Sequence, residues 1–120
     1  MKIFTIIIIS FFSNFKVIAG EISGIPSITD GDTIKIFHKS IRLHGIDTPE
    51  KKQICHKNFK KYNCGKEATK ALTEKIGGKK VICKVQDKLD RYKRYIGVCY
   101  FEEVNLNKWM VRNGYAFAYR

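Results

Sequence analysis

The apolar positions of this chain change period several times, and each change marks an element. Ile34 and Ile36 alternate with Lys35 and Phe37, and Ile41, Leu43 and Gly45 alternate with Arg42 and His44. A period of two predicts two strands within residues 31–46, and a tight reversal near Lys39 and Ser40 makes them a hairpin. Residues 47–63 then lose all periodicity and read as a lysine-rich loop opened by Pro49. Over residues 66–76 the period lengthens: Ala68, Ala71, Leu72 and Ile76 share one stripe of a helix that Gly77 and Gly78 end. Residues 80–85 and 95–101 read as two more strands around a charged turn at 87–94. Asn105 is placed to cap a short helix that buries Leu106, Trp109 and Met110 and stops at Gly114. No repeat, low-complexity tract or linker interrupts this order of strand, hairpin, helix, two strands and helix. Without βαβ alternation the order fits a small closed barrel, mainly β within the α+β class, better than a doubly wound sheet.

The first nineteen residues follow another pattern. Lys2 precedes an apolar run from residue 3 to residue 12, broken only by Thr5 and Ser10. That run is too short for a bilayer, which needs about 20 residues. Val17 and Ala19 put small residues at −3 and −1 of a cleavage point before Gly20, the layout of a secretory signal peptide. An uncleaved anchor is the alternative, against which Asn14 and Lys16 interrupt the apolar stretch; Gly20 in place of Cys argues against a lipoprotein. The expected organisation is a signal peptide over residues 1–19 and one domain over residues 20–120, secreted or periplasmic, with no stable membrane span.

Four cysteines, Cys55, Cys64, Cys83 and Cys99, allow three disulfide connectivities in an exported chain. Zinc is the rival, but no C-x-x-C pair is present. A turn centred near residue 91 sets Cys83 opposite Cys99 on neighbouring strands, whose paired Cα atoms lie about 4.5–5.5 Å apart, within disulfide reach. Cys55 and Cys64 then close the lysine loop by elimination.

Composition narrows the partner. With 23 Lys and Arg against 11 Asp and Glu, the 120-residue chain carries a formal charge of +12, with 44% hydrophobic and 28% charged residues. A disordered tail, a collagen-like repeat and a multi-spanning membrane protein are excluded. A polyanion is the natural partner, nucleic acid first and an anionic membrane or wall second. The lysines, Lys60 and Lys61 among them, cluster in residues 51–70 and 79–94, interleaved with Tyr62, Tyr92 and Tyr95 that could stack on bases. Individually most such lysines form a solvated face; two dense clusters flanking an acidic pocket favour a phosphate backbone.

Acids are scarce here, yet Asp32, Asp47 and Glu50 fall close together, with Asp30 beside them. A reversal between residues 39 and 40 sets Ile36 against Leu43 and Asp32 against Asp47. Opposed like charges destabilise a sheet, so a cation between them is implied. Carboxylate oxygens suit calcium or magnesium rather than zinc; the alternative is that both acids merely cap turns. Arginines are few beside the lysines, and Arg42 and Arg94 offer planar forks for a phosphate. Arg42 lies five residues before Asp47, on the opposite strand face, and needs a bulge near Gly45 to join the same site. His38, His44 and His56 stand isolated, and no Gly-rich phosphate loop occurs.

Four motifs in order carry a resemblance: D-G-D-T at residues 30–33, R-L-H-G-I-D-T-P-E at 42–50, D-R-Y-K-R at 90–94 and N-x-x-M-V-R-N-G-Y-A at 107–116. Over residues 28–119 the chain resembles the staphylococcal nuclease family. The resemblance implies a five-stranded OB-type barrel with two or three short helices, acting as a calcium-dependent phosphodiesterase on DNA and RNA and leaving 3′-phosphate products. By motif position, Asp32 and Asp47 look like the calcium carboxylates, with the Thr48 carbonyl beside them. Glu50 resembles the residue that orients or deprotonates the attacking water. Arg42 and Arg94 resemble the pair that grips the scissile phosphate, and Tyr92 a tyrosine beside the nucleotide. A monomer is expected. Two departures stand out: Lys93 replaces the Gly that precedes the second arginine, and the chain stops at Arg120 where relatives continue into a further helix. A non-catalytic OB-fold nucleic-acid binder is the alternative function.

Overall fold

A computed structural model describes residues 18–119. In chain order its elements are β1 (Ile18–Gly24), β2 (Ser27–Asp30), β3 (Thr33–Ile36), β4 (Lys39–Leu43), β5 (Ile46–Asp47), β6 (Cys55–Lys57), β7 (Lys60–Tyr62), α1 (Cys64–Ile76), β8 (Val81–Gln86), β9 (Tyr95–Phe101), β10 (Val104–Asn105), α2 (Leu106–Arg112) and β11 (Phe117–Ala118). Hydrogen bonding orders the main sheet β1-β8-β9-β4-β3-β2, with β10 added beside β9. All neighbours run antiparallel except β4 and β9. The sheet curls until β1 comes back against β3. This is the expected mainly-β architecture with two helices. Eleven strands are counted among the described residues against the expected five: Pro26, with no N–H to give a ladder, parts β1 from β2, and the β6–β7 hairpin and the two-residue strands β5, β10 and β11 add the rest.

The apolar stripes land inside. Ile34, Ile36, Ile41 and Leu43 are fully buried on one face of the hairpin. Ala68, Leu72 and Ile76 of α1, and Leu106 and Met110 of α2, join them in one core. Helix α1 starts at Cys64, two residues earlier than its stripe suggests, and ends at Gly77, whose left-handed φ of 62° lets its N–H reach the Thr73 carbonyl at 2.9 Å. Asn105 caps α2 by accepting the Lys108 N–H at 3.1 Å.

One register differs from expectation. The reversal between β3 and β4 falls at Phe37 and His38, pairing Ile34 with Ile41 and Ile36 with Lys39. Ile36 does not face Leu43, and Asp32 and Asp47 are not cross-strand partners. The pairing has slipped by an even number of residues, which leaves every side chain on its own face. Alternation alone therefore cannot separate the two registers. Both registers close on two residues; in the observed one Phe37 takes φ 51°, the left-handed value that the first position of such a hairpin turn demands.

The loop at 47–63 is also more ordered than expected, since β6 and β7 form a hairpin turning at Asn58 and Phe59, with φ 52° and 65°. A disulfide ties its base to α1 through Cys55 and Cys64, whose Cα atoms are 5.6 Å apart. Cys83 and Cys99 are direct partners between β8 and β9, with Cα atoms 4.0 Å apart, and form the second disulfide. Most of residues 1–19 lie outside the described residues; the last two, Ile18 and Ala19, open β1.

Candidate active site

Three short segments meet where β4 ends. Asp32 sits in the turn between β2 and β3 and is 8% exposed. One of its carboxylate oxygens accepts the Thr33 hydroxyl at 3.0 Å, and the other accepts the Thr48 N–H at 3.0 Å. Gly31, just before it, fits because a Cβ there would meet Ala68 and the Thr48 hydroxyl at 3.0 Å. That Thr48 hydroxyl is buried without a hydrogen-bond partner among the described residues.

Arg42 reaches the acids by a route other than a bulge. After β4 the chain turns at His44 and Gly45, where Gly45 has φ 79°, and β5 leaves in a new direction to pair with β11. Through that turn Nη1 of Arg42 donates to the Leu43 and Ile46 carbonyls at 3.0 and 2.8 Å. Its Nη2 stands 3.5 Å from Asp32 and 3.3 Å from Asp47. A guanidinium therefore offsets the repulsion between the two carboxylates, where a cation alone was expected.

Glu50 is exposed and fixed by its backbone. Its N–H donates to the Gln53 side chain at 3.2 Å, and its carbonyl accepts the Gln53 N–H at 2.8 Å. The next N–H, from Lys51, donates to Asp30 at 3.0 Å. Helix α1 backs this segment so closely that a Cβ on Gly65 would overlap the Glu50 carbonyl. Among the described residues the Glu50 carboxylate has no ion-pair partner.

Arg94 is positioned by Asp90. The Asp90 carboxylate accepts the Arg94 Nε–H and N–H, both at 2.8 Å, and the Tyr92 N–H at 2.9 Å. Burial pushes the Asp90 carboxyl up, but the bonds from Arg94 and Tyr92 outweigh it and hold the group below its ordinary value of 3.8. Sequence reasoning gave Asp90 no role; its spacing of four from Arg94 across a turn was the available signal. Lys93 takes φ 62°, the conformation a glycine would adopt freely, and Arg94 beside it lines the pocket. We expect Lys93→Gly to raise stability by about 1 kcal/mol, the usual relief of left-handed strain, as a higher urea midpoint. A lower midpoint would show the lysine conformation to be unstrained. Tyr92 is exposed, with Arg91 and Arg94 at 4.9 and 5.2 Å from its ring centre.

Asp32, Arg42, Asp47, Thr48, Glu50 and Arg94 line a single open pocket of about 360 Å³, together with Asp30 and Tyr92. Lys60 and Lys61 lie elsewhere, on β7, in a neighbouring groove of about 910 Å³. Among the described residues no three His, Cys, Asp or Glu side chains converge as a cage. The candidate ligands in the pocket are oxygens throughout: the carboxylates of Asp32 and Asp47, with those of Asp30 and Glu50 and the Thr48 residue also lining it. Such a set fits a hard cation that completes its shell of about 6–8 oxygens with water and phosphate.

A curled mainly-β sheet with two helices and an acidic, arginine-bearing pocket is the frame of an OB-like α+β domain. The family model described as staphylococcal nuclease homologue matches residues 40–120, and the chain belongs to that family. It is 34% identical over 101 residues to the succinoglycan biosynthesis protein ExoI of Rhizobium meliloti (strain 1021), covering 82% of this chain and 52% of that protein. An uncharacterized endonuclease of Escherichia coli O157:H7 is 32% identical over 118 residues, covering 93% of this chain and 71% of its own. A probable staphylococcal-like nuclease, CAN2 of Oryza sativa subsp. japonica, is 38% identical over 80 residues, 67% of this chain and 19% of the relative. The chain spans about half the length of ExoI and of a similar Haemophilus influenzae endonuclease.

Proposed function

We propose that the pocket hydrolyses phosphodiester bonds of DNA and RNA with calcium, leaving 5′-hydroxyl and 3′-phosphate ends. The observation that carries this reading is the convergence of two guanidinium groups and an unpaired carboxylate, Arg42, Arg94 and Glu50, in one pocket. Asp32, Asp47 and the Thr48 carbonyl would hold the calcium, which supplies positive charge beside a phosphate oxygen.

The chain's own groups do the rest. Arg42 is braced by two carbonyls and presents Nη2 towards the acids. Asp90 takes the Nε of Arg94 and so fixes the plane of that guanidinium. Together they bind the equatorial oxygens, whose charge grows as the phosphorus gains a fifth ligand. Glu50 accepts a proton from the attacking water, or orients it, from a backbone that the Gln53 turn and α1 hold still. Tyr92 offers a ring beside the nucleotide. Lys60 and Lys61 add salt-dependent affinity without touching the chemistry: each Ala variant is expected to flatten the slope of log affinity against log salt by about one unit. Titrations at increasing NaCl read this slope, and an unchanged slope would place the lysines outside the interface.

The chain is proposed to act outside the cytoplasm as a monomer, after loss of residues 1–19. N-terminal sequencing of exported material is expected to begin at Gly20 or within a few residues. That start keeps the β1 pairs from Gly20–Val85 to Gly24–Val81. Full-length chain recovered only in membranes would favour an uncleaved anchor. A DNA zymogram run with calcium and then with EGTA tests the activity: clearing with calcium alone supports it, and no clearing in either favours a non-catalytic binder.

A further inference from the structure

The groove beside the catalytic pocket has a composition of its own. One wall is the β6–β7 hairpin, with Lys57, Lys60, Lys61 and Tyr62; the other is the segment bearing Tyr115 and Phe117. Pro49 also lines it and directly precedes Glu50, and Phe117 is the backbone partner of Asp47. The groove therefore borders that pocket along two segments of chain. We propose that it is a second binding site, for an unpaired stretch of the same nucleic-acid strand whose phosphodiester occupies the catalytic pocket. The proposal rests on the nuclease reading for what lies in that pocket, and on its own residues for what lies in the groove.

Three lysines face one acid there, Glu67, which suits a run of phosphates. The aromatic rings decide the class of strand. Phe117 is 78% and Tyr62 36% exposed, an arrangement without benefit to the core. A duplex keeps its base faces stacked inside and shows a protein only edges and backbone. An unpaired strand presents faces, and each base stacked on an aromatic ring adds affinity whatever its sequence. The walls are preformed, since the Cys55–Cys64 disulfide pins the hairpin to α1, so little ordering opposes binding. An anionic membrane is the competing surface, because Phe59 stands fully exposed at the hairpin tip between lysines. A groove that borders the pocket bearing Glu50 and Arg94 favours the strand.

The test compares the purified full-length mature chain with its Tyr62→Leu/Phe117→Leu variant, which keeps apolar bulk at two exposed positions and removes both rings. Anisotropy of a fluorescein-labelled oligodeoxynucleotide is read in EGTA, unpaired and annealed to its complement. The variant is expected to lose about 10- to 100-fold in affinity for the unpaired strand and less than about two-fold for the duplex. Lys57→Ala, read on the unpaired strand, is expected to flatten the salt slope by about 0.7. Equal losses on both forms, or none on either, would overturn the proposal. So would a variant that binds the oligonucleotide normally but no longer sediments with phosphatidylglycerol vesicles. Binding is read apart from cleavage, so a chain that binds unpaired strand through these rings and, assayed separately in calcium, never cuts it would sink the nuclease reading and leave the groove standing.

Discussion

Glu50→Gln is expected to slow phosphodiester cleavage by about 10²–10⁴-fold, the usual contribution of a positioned general base, while DNA affinity stays within about two-fold. The substitution keeps the shape of the side chain and removes its charge and its capacity to take a proton. Glu50 is exposed and makes its hydrogen bonds to Gln53 through the backbone, so the fold loses nothing. Removing a negative charge from a site that binds a polyanion cannot weaken the binding. Rates under single-turnover conditions, beside anisotropy titrations of the same DNA, separate the two effects. A variant that cleaves within about ten-fold of wild type would assign Glu50 a positioning role at most.

Asn107→Ala carries the largest expected effect on stability, a loss of about 2–4 kcal/mol. Asn107 is 4% exposed and joins three parts of the fold with one amide. Its Oδ1 accepts the Cys99 N–H at 3.1 Å, and its Nδ2 donates to the His44 and Gly97 carbonyls at 2.9 and 3.1 Å. Alanine leaves the buried Cys99 N–H without its acceptor, while the Gly97 carbonyl keeps the His44 N–H at 2.8 Å. Because His44 opens the turn that aims Arg42, activity is expected to fall along with stability. Asn107→Asp keeps the acceptor for Cys99 and loses both donors, so it is expected to be destabilised as well. Urea unfolding of the three proteins measures this, and a loss below about 1 kcal/mol for the alanine variant would mean the network contributes little.

Much of this architecture was legible because the relevant patterns are local. The strand over residues 95–101, the stripe of α1, the Asn105 cap and the Cys83–Cys99 pairing all follow from period or from a turn centre fixed by two cysteines. The β3–β4 register was not legible, since an even slip preserves every burial preference and both registers close on a two-residue turn. Arg42 and Asp47 share a pocket because Gly45 redirects the chain, and a straight-strand reading must place them on opposite faces. Asp90 was hidden among the charges of the 87–94 turn: its role is to accept three hydrogen bonds, and composition does not show where a carboxylate points. Gly65 was equally silent. Its need to be glycine comes from the Glu50 backbone lying across it, a contact between segments fifteen residues apart.

The most direct measurement takes the purified chain with both disulfides intact and follows one labelled DNA by binding and by cleavage, with calcium and then with EGTA. The expected result is binding in both conditions and cleavage with calcium alone, at ends that carry 3′-phosphate. Saturated binding with uncut DNA in calcium would contradict the proposed activity and leave a nucleic-acid-binding domain in its place.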